Sequence, residues 1–290
     1  MASKIARKRK RASISLIIQR TLVYTILVLL TLIVLFIFYI LIMNSTRLNA
    51  EIQQGFSFLP GNQFFINFDK MISNQNFKIL RATGNSLFIA MLSATCATYF
   101  NAMAAYGIHM YHFKGRKLAF TFILVVMMIP TQVSSLGLVR ILYTIGLIDS
   151  YIPLIVPSVA APAVFFFIKQ YLDSTLPYEV VESARVDGAS EFRILHQIVL
   201  PIISPALAVQ FIFSFVASWN NYFLPALIIQ TNTKRTIPLV IAGLQSSSPD
   251  MFDLGPVYML LVVAIIPLLI IYLIFSKKII KGVTLGSVKG

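Results

Sequence analysis

Six long stretches without a charged residue constrain this sequence more than any other feature. An α-helix rises about 1.5 Å per residue, so each stretch crosses, or nearly crosses, a hydrocarbon core about 30 Å thick. Charged residues make up only 12% of the chain, against about 25% in soluble domains. The sequence therefore predicts an all-α polytopic membrane protein with six transmembrane helices. The six stretches are Thr21–Met43, Thr83–Ile108, Leu118–Val139, Tyr151–Ile168, Ile198–Thr233 and Leu254–Ser276.

The basic residues are distributed unevenly between the two sides of this membrane. With the N-terminus in the cytoplasm, 17 of the 24 Lys and Arg residues fall in cytoplasmic segments, as the positive-inside rule requires. We therefore predict a multi-pass protein of the cytoplasmic membrane with both termini in the cytoplasm. The net charge of +14 and the basic run Lys4–Arg11 are attributed to orientation and contact with membrane lipid, and no nucleic acid is expected as a partner. The first apolar stretch is too long for a cleavable signal, so it is expected to remain as a helix.

Two of the stretches carry further detail. The fourth contains Pro153, Pro157 and Pro162, which predicts a kinked helix whose freed carbonyls are satisfied by neighbouring helices. The second alternates alanines with weakly polar residues such as Ser93 and Asn101, a pattern that favours close helix packing over a ligand-lining role. Cys96 is the single cysteine and is expected to be a packing residue.

These features divide the chain into five segments. We predict a basic cytoplasmic N-terminus (1–20), a first transmembrane helix (21–43), an extracytoplasmic loop (44–82), a five-helix transmembrane core (83–276) with a cytoplasmic loop at 173–200, and a cytoplasmic C-terminal tail (277–290).

The cytoplasmic loop at 173–200 holds half of the acidic residues of the protein. Acidic residues contribute little to membrane topology, so this enrichment indicates a function of its own. The five residues are Asp173, Glu179, Glu182, Asp187 and Glu191.

Local chemistry predicts a helix-turn-helix within this loop. Ser174 or Thr175 is expected to cap the first helix, and Gly188 to end it, because glycine accepts a positive φ without strain. Ser190 is expected to cap the second helix. The apolar face of the second helix is predicted to consist of Phe192, Leu195 and Val199.

The segment EVVESARVDGASEFRILHQIVLP at 179–201 resembles the EAA loop of the permease subunits of ATP-binding-cassette (ABC) importers. Ser183 stands where that pattern has an alanine. The matching positions are Glu182, Ala184, Gly188, Ala189 and the Ile198-x-Leu200-Pro201 ending, with Asp187 as the common residue before the glycine.

Other landmarks resemble the sugar-importer branch of these permeases, which includes the maltose permease subunit MalG. They are GNSLFIA (84–90), YHFKGRK (111–117), IPTQV (129–133), SWNNYFLPAL (218–227) and GVTLGSVKG (282–290). The resemblance implies a type I ABC importer fold. It also implies three kinds of protein partner: a second homologous permease subunit forming a heterodimer, a dimeric ABC ATPase, and an extracytoplasmic sugar-binding protein.

The resemblance assigns roles to two groups of residues. It implies that Glu182, Ala184, Asp187, Gly188 and Ala189 couple the chain to the ATPase. It also implies that the tail Ser287, Val288, Lys289 and Gly290 contacts the ATPase.

A third group is suggested by the residues themselves. Trp219, Asn220 and Asn221 lie in an uncharged stretch, where they either line a sugar path or form interhelical hydrogen bonds. His109, His112 and His196 lack metal-ligand spacing, so no metal site is expected.

The predicted function is that of a permease subunit in an ATP-driven, binding-protein-dependent importer of di- or oligosaccharides. The chain has no Gly-rich phosphate loop of the Walker type, so it is not expected to be an enzyme, and ATP-Mg would bind to the partner ATPase. Alternatives are a permease for a non-sugar solute, an ion-coupled transporter and an intramembrane enzyme. Ion coupling usually needs ionisable groups within spans, and the six stretches contain no Asp, Glu, Lys or Arg.

Overall fold

The computed structural model describes residues 2–74, 78–245 and 253–287, with the side chains of 16–74, 78–244 and 253–276. Within these ranges the chain forms helices, turns and loops, and no β-strand occurs, so the predicted all-α fold is confirmed. The chain divides into two compact units: residues 1–71 with 253–262, and residues 72–252 with 263–290.

The first unit is built on a long apolar helix. Within it, Leu16–Ser45 is long and apolar enough to cross a membrane, and no part of its most apolar window is buried. Such an all-round apolar surface suits lipid. The helices of this unit are α1 (Ala2–Ser45), α2 (Asn49–Gln53), α3 (Phe64–Ile72) and the first turns of α15 (Leu254–Ser287).

The second unit contains the remaining helices. They are α4 (Ile79–Met110), α5 (Arg116–Met127), α6 (Thr131–Thr144), α7 (Ile152–Ile155), a 3₁₀ turn (Val156–Ala160), α8 (Pro162–Thr175), α9 (Tyr178–Val186), α10 (Glu191–Ile194), a π-helical turn (Leu195–Val199), α11 (Leu200–Ile202), α12 (Ser204–Trp219), α13 (Phe223–Ile228), a 3₁₀ turn (Asn232–Lys234), α14 (Ile237–Gln245) and the rest of α15.

Helix α4 lies at the centre of the second unit and packs against α8 and α12. Its buried alanines allow neighbouring backbones to approach closely, which is how helices associate in lipid. This confirms the predicted packing role of the second stretch. The fully buried alanines are Ala90, Ala94, Ala102 and Ala105.

The proline-rich fourth stretch is broken, as the sequence predicts. A 3₁₀ turn and an extended residue, Ala161, separate α7 from α8. Buried Asn101 donates to the carbonyl of Val159 at 3.2 Å and accepts from the Ala161 amide at 3.2 Å. Ser93 donates to the carbonyl of Leu154. Polar side chains of α4 therefore satisfy the backbone groups that the break leaves unpaired.

The third stretch, expected as one continuous helix, is instead a bent pair. Helices α5 and α6 meet at 95°, and α5 ends at Met127 just before Pro130. Proline has no N–H to donate, and it disfavours the α conformation in the residue before it. The described chain thus holds five helices able to cross a membrane, or six if this pair counts as one span.

The helical span in the fifth stretch is shorter than the uncharged sequence that predicted it. The structure places the span at Ser204–Ile228, with an interruption at Asn220–Tyr222 between α12 and α13. Residues before Ser204 belong to the short helical turns that follow α10. The lack of charged residues therefore located this apolar region correctly, but it did not predict where the helix begins and ends.

Candidate functional site

The first arm of the loop at 173–200 is helix α9. Its N-cap residue is Pro177, and no side chain caps it. The predicted caps Ser174 and Thr175 are wrong: both hydroxyls donate backwards to the carbonyl of Tyr171, at 2.9 and 2.7 Å. Leu176 is extended because it precedes a proline, and this separates both hydroxyls from the start of α9.

Gly188 ends α9 as predicted. Its φ is +82°, a left-handed conformation that glycine adopts without strain. The Ala189 amide donates to the Ala184 carbonyl and the Gly188 amide to the Arg185 carbonyl, both at 3.0 Å. This pair of bonds is the Schellman motif, which satisfies the last carbonyls of a helix and fixes the direction of the outgoing chain.

The second arm begins at Ser190, whose Oγ accepts from the Arg193 amide at 3.4 Å, as predicted. The predicted apolar face is partly wrong. Leu195 and Val199 are buried, but Phe192 is 69% exposed and Ile194 takes the buried position. A π-helical turn at Leu195–Val199 is the reason, because its i→i+5 bonding brings Ile194 and Val199 to the same side.

Buried side chains fasten both arms to the membrane-spanning helices. Val181 and Ala184 of α9 pack with Ile194 of α10 in one core, which also contains Ile168 and Leu172 of α8. Close packing of this kind resists deformation. The helix-turn-helix is therefore rigidly attached to α8.

An ion pair joins the two arms across the turn. Arg185 Nε donates to Glu191 Oε1 at 2.6 Å, and the Tyr106 hydroxyl of α4 donates to Glu191 Oε2 at 3.0 Å. The Arg185 guanidinium also lies over the Tyr111 ring at 5.5 Å. The hydrogen bond from Arg185 holds the pKa of Glu191 below its usual value, and the same bond raises the pKa of Arg185. Burial raises the pKa of the Tyr111 hydroxyl.

A second polar cluster joins α4, α8 and the start of α9. Buried His109 places Nδ1 2.8 Å from Asp173 Oδ1 and Nε2 3.1 Å from the Leu176 carbonyl. Its ring stacks on Tyr178, whose hydroxyl donates to the His109 carbonyl at 2.7 Å. Lys169 donates to the same oxygen of Asp173. The start of α9 is therefore bonded directly to the ends of α4 and α8.

The exposed side of the turn carries most of the coupling residues that the resemblance indicates. Glu182, Asp187 and Gly188 are exposed, whereas Ala184 is buried in the core and Ala189 is half-buried. Within the part of the chain that the structure describes, neither Glu182 nor Asp187 forms an ion pair or a side-chain hydrogen bond.

Two large apolar side chains accompany these residues. Val186 is 88% exposed and Phe192 is 69% exposed. We refer to Glu182, Val186, Asp187, Gly188 and Phe192 as the turn surface.

The three residues predicted at the fifth span do not share one surface. Trp219 is 2% exposed and stacks on Phe215 with ring centroids 5.8 Å apart. In this structure its indole is therefore not open to a sugar. Asn220 is exposed and Asn221 is half-buried at the break between α12 and α13. Of the three residues, only the two asparagines are accessible from outside the protein.

The C-terminal tail is described only in part. Helix α15 ends at Ser287, whose side chain is not described, and Val288, Lys289 and Gly290 lie outside the described residues, so the predicted contacts of this tail stay a prediction.

Sequence reasoning missed the residues that hold the loop in place. Glu191 and Asp173 are bonded to Tyr106 and His109 of α4, which lie 85 and 64 positions away in the sequence. One local signal exists, because Arg185 and Glu191 flank the glycine turn and carry opposite charges.

The comparisons with known proteins agree with this architecture. A family model described as "Binding-protein-dependent transport system inner membrane component" matches residues 79–284. The arabinooligosaccharides transport system permease protein AraQ of Bacillus subtilis (strain 168) is 35% identical over 209 residues, covering 71% of this chain and 72% of that protein. The lactose transport system permease protein LacG of Rhizobium radiobacter is 27% identical over 267 residues, covering 92% and 95%.

A solved structure shares the fold. It is the crystal structure of a bacterial ABC transporter involved in the import of the acidic polysaccharide alginate. One of its chains gives a TM-score of 0.75 at 21% identity, covering 89% of this chain and 96% of that one.

The all-helical fold and the family match define a multi-pass membrane permease, a transporter component and not an enzyme. The family match covers well over half of the chain. This protein therefore belongs to the family of inner membrane components of binding-protein-dependent transport systems.

Proposed function

We propose that this chain is one permease subunit of an ATP-driven importer for a di- or oligosaccharide. The observation that carries the proposal is the 35% identity to an arabinooligosaccharide permease protein over 71% of the chain. The similarity to a lactose permease protein over 92% of the chain supports the same substrate class. A non-sugar solute remains the alternative that the experiment below distinguishes.

The turn surface is the docking site for a separate ABC ATPase, which binds ATP-Mg. Exposed Val186 and Phe192 supply apolar contacts, and the carboxylates of Glu182 and Asp187 are available to basic groups of the partner. Gly188 keeps the turn free of a side chain, and a Cβ built there meets no atom within 4 Å. The tail Ser287–Gly290 provides a second contact with the same ATPase.

Transport proceeds by alternating access. When ATP closes the ATPase dimer, the docked turn is displaced, and the core that joins α9 and α10 to α8 carries the displacement into the spans. The clusters at Glu191 and His109 carry it to α4 as well. A sugar-loaded binding protein drives the cycle by its different affinity for the two states.

The proposed orientation places both termini in the cytoplasm and the loop at 44–82 outside. It rests on the excess of Lys and Arg in the segments that share a side with the N-terminus. Asn220 and Asn221 line the solute path, where their amides hydrogen-bond sugar hydroxyls. A second, homologous permease subunit completes that path.

The test is purification of the complete assembly with its native partners. We expect a second permease chain, an ATPase and an extracytoplasmic binding protein to accompany this chain. After reconstitution in vesicles, ATPase activity is measured with the binding protein and a panel of solutes: arabino-oligosaccharides, lactose, maltodextrins, amino acids and glycerol 3-phosphate. Stimulation by an oligosaccharide supports the proposal. Stimulation by a non-sugar alone refutes the substrate class, and the absence of an ATPase contacting residues 182–189 refutes the transport mechanism.

A further inference from the structure

A short loop in the first unit leaves the end of α1 and returns to it. Residues 55–60 (GFSFLP) form this loop, which we call the aromatic loop. It starts at Gly55, whose carbonyl accepts from Arg47 Nη1 at 2.9 Å. It closes at Gly61, whose amide donates to Thr46 Oγ1 at 2.8 Å. Both ends are therefore fixed beside Thr46 and Arg47.

The closing glycine and the arginine make this arrangement specific. A Cβ on Gly61 would lie 2.4 Å from the Thr46 carbonyl oxygen, so only glycine fits. Arg47 is 8% exposed and also donates to the carbonyls of Glu51 and Gly55 and to Asn44. Its guanidinium therefore donates hydrogen bonds within the first unit, where it holds the loop in place.

The tip of the aromatic loop lies along the outer surface of α1. Phe56 and Phe58 meet edge to face with centroids 4.5 Å apart. Phe56 lies 5.4 Å from Phe36, and Phe58 lies 6.5 Å from both Phe36 and Tyr39. The Tyr39 hydroxyl donates to the Phe58 carbonyl. The chain therefore turns back along the helix and does not extend away from it.

These contacts give the depth of the loop in the membrane. The uncharged stretch of α1 ends at Met43, and Tyr39 and Phe36 precede it by four and seven residues, which is about 6 and about 10 Å along the helix. The surface of α1 is exposed up to Phe38 and half-buried at Tyr39. Phe58 and Leu59 therefore lie beside the hydrocarbon region, and they are 67% and 74% exposed.

Several backbone groups of the loop are hydrogen-bonded within the first unit. A backbone group without a partner is costly in hydrocarbon. The Leu59 amide donates to Ser57 Oγ at 3.1 Å, and that hydroxyl donates to the Leu59 carbonyl at 3.2 Å. The Phe58 carbonyl accepts a hydrogen bond from the Tyr39 hydroxyl. The loop carries no charge.

We propose that the aromatic loop inserts into the lipid leaflet around the Ser45 end of α1, with Phe56, Phe58 and Leu59 among the phospholipid acyl chains. Arg47 and Glu51 then lie at the headgroup level. The loop anchors the end of α1. Within the described residues, no other part of the first unit buries the most apolar window of that helix. In the orientation proposed above, this is the outer leaflet.

The test uses tryptophan fluorescence measured as the difference from the wild-type assembly, because Trp219 is the only tryptophan of this chain and it is buried. Phe58→Trp is introduced into the complete reconstituted importer, in vesicles whose phosphatidylcholine carries bromine on the acyl chains. We expect the added emission to be blue-shifted and quenched several times more strongly than that of Trp219 in the wild type. Iodide in the aqueous phase is expected to leave it unquenched.

The matched control is Phe192→Trp, because Phe192 has nearly the same exposed fraction (69%) but lies on the turn surface. Brominated lipid is expected not to quench it. Leu59→Trp provides a second probe of the loop if Phe58→Trp assembles poorly. Quenching of the loop probes by iodide would place the loop in water, and protection from both quenchers would place it under a protein. Either result overturns the proposal.

Discussion

Arg185 Nε donates a 2.6 Å hydrogen bond to Glu191 Oε1, and the two residues lie on opposite sides of the Gly188 turn. Glu191 is bonded at the same time to Tyr106 of α4. One carboxylate therefore connects both arms of the exposed helix-turn-helix with the central helix of the second unit.

Glu191→Gln removes this charge while keeping the shape of the side chain. Both partners are partly exposed, so the loss of unfolding free energy is expected to be about 1 kcal/mol or less. Coupling is expected to suffer more, with solute-stimulated ATPase activity reduced and basal activity retained. Glu179→Gln, an exposed acid in the first turn of α9, is the control. If both variants show the same stimulated activity, the connection does not transmit movement.

Gly188→Ala tests the turn itself. A Cβ at this position meets nothing within 4 Å, so the only cost is the left-handed φ of +82°, about 1–2 kcal/mol. The melting temperature and transport are both expected to fall. Gly188→Asn should be milder, because asparagine tolerates this conformation better than alanine does. Equal behaviour of the two variants would argue against backbone strain as the cause.

Glu182→Lys tests docking without disturbing the fold. Glu182 is exposed and makes no side-chain hydrogen bond within the described residues, so membrane insertion and melting temperature are expected to be unchanged. Binding of the ATPase and solute uptake are expected to be lost through charge reversal. Both are measured by pull-down from membranes and by uptake of labelled solute. Glu179→Lys is the matched control, and normal uptake by Glu182→Lys would exclude its role.

Asp149 provides a pH-dependent contribution to stability. Its carboxylate accepts from the Thr231 hydroxyl at 2.6 Å, from the Gln230 and Thr231 amides at 3.0 Å, and from Lys234 Nζ at 3.0 Å. The hydrogen bonds from Thr231 are the largest cause that lowers the pKa of Asp149 below its usual value. A lowered carboxyl pKa stabilises the fold above the unfolded pKa, and this stabilisation fades as the pH falls towards the folded pKa.

Asp149→Asn removes this contribution while keeping a residue that tolerates the φ of 58° at this position. The melting temperature of the variant is expected to be lower than that of the wild type by a constant amount at neutral pH. The difference should narrow below about pH 4, the usual carboxyl range. A difference that does not change with pH would mean that the ionised carboxylate is not responsible.

Trp219 and Asn220 are expected to give opposite phenotypes although they are adjacent. Trp219→Ala empties a site in a core formed with Ala90, Ala94 and Phe215, so it should cost about 3–5 kcal/mol of stability. Asn220→Ala should leave the melting temperature unchanged and raise the solute concentration needed for half-maximal uptake. Thermal unfolding and uptake kinetics measured on both variants separate packing from solute contact. Unchanged uptake kinetics in Asn220→Ala and Asn221→Ala would remove both from the path.

Several patterns that act over a few residues were read correctly from the sequence, although the caps predicted at Ser174 and Thr175 were not. Gly188 and Ser190 fulfil their predicted roles because a left-handed turn and a helix cap depend on the identity of one residue and its neighbours. The broken fourth stretch follows in the same way from the missing N–H groups of its prolines. The EAA-like spacing at 182–201 was recognisable for the same reason, because all its residues lie in one continuous segment.

Only the tertiary structure decided which of the candidate residues face outward and which are packed. Phe192 and Ile194 are both apolar, and the π-helical turn after α10 exposes the first and buries the second. Trp219 looks suited to a sugar in the sequence, but Phe215 of the same helix covers its ring. His109 is joined to Asp173 over 64 positions of chain. Hydrophobicity, charge and capping act locally and can be read along a chain, whereas the partner of a side chain depends on how distant helices pack.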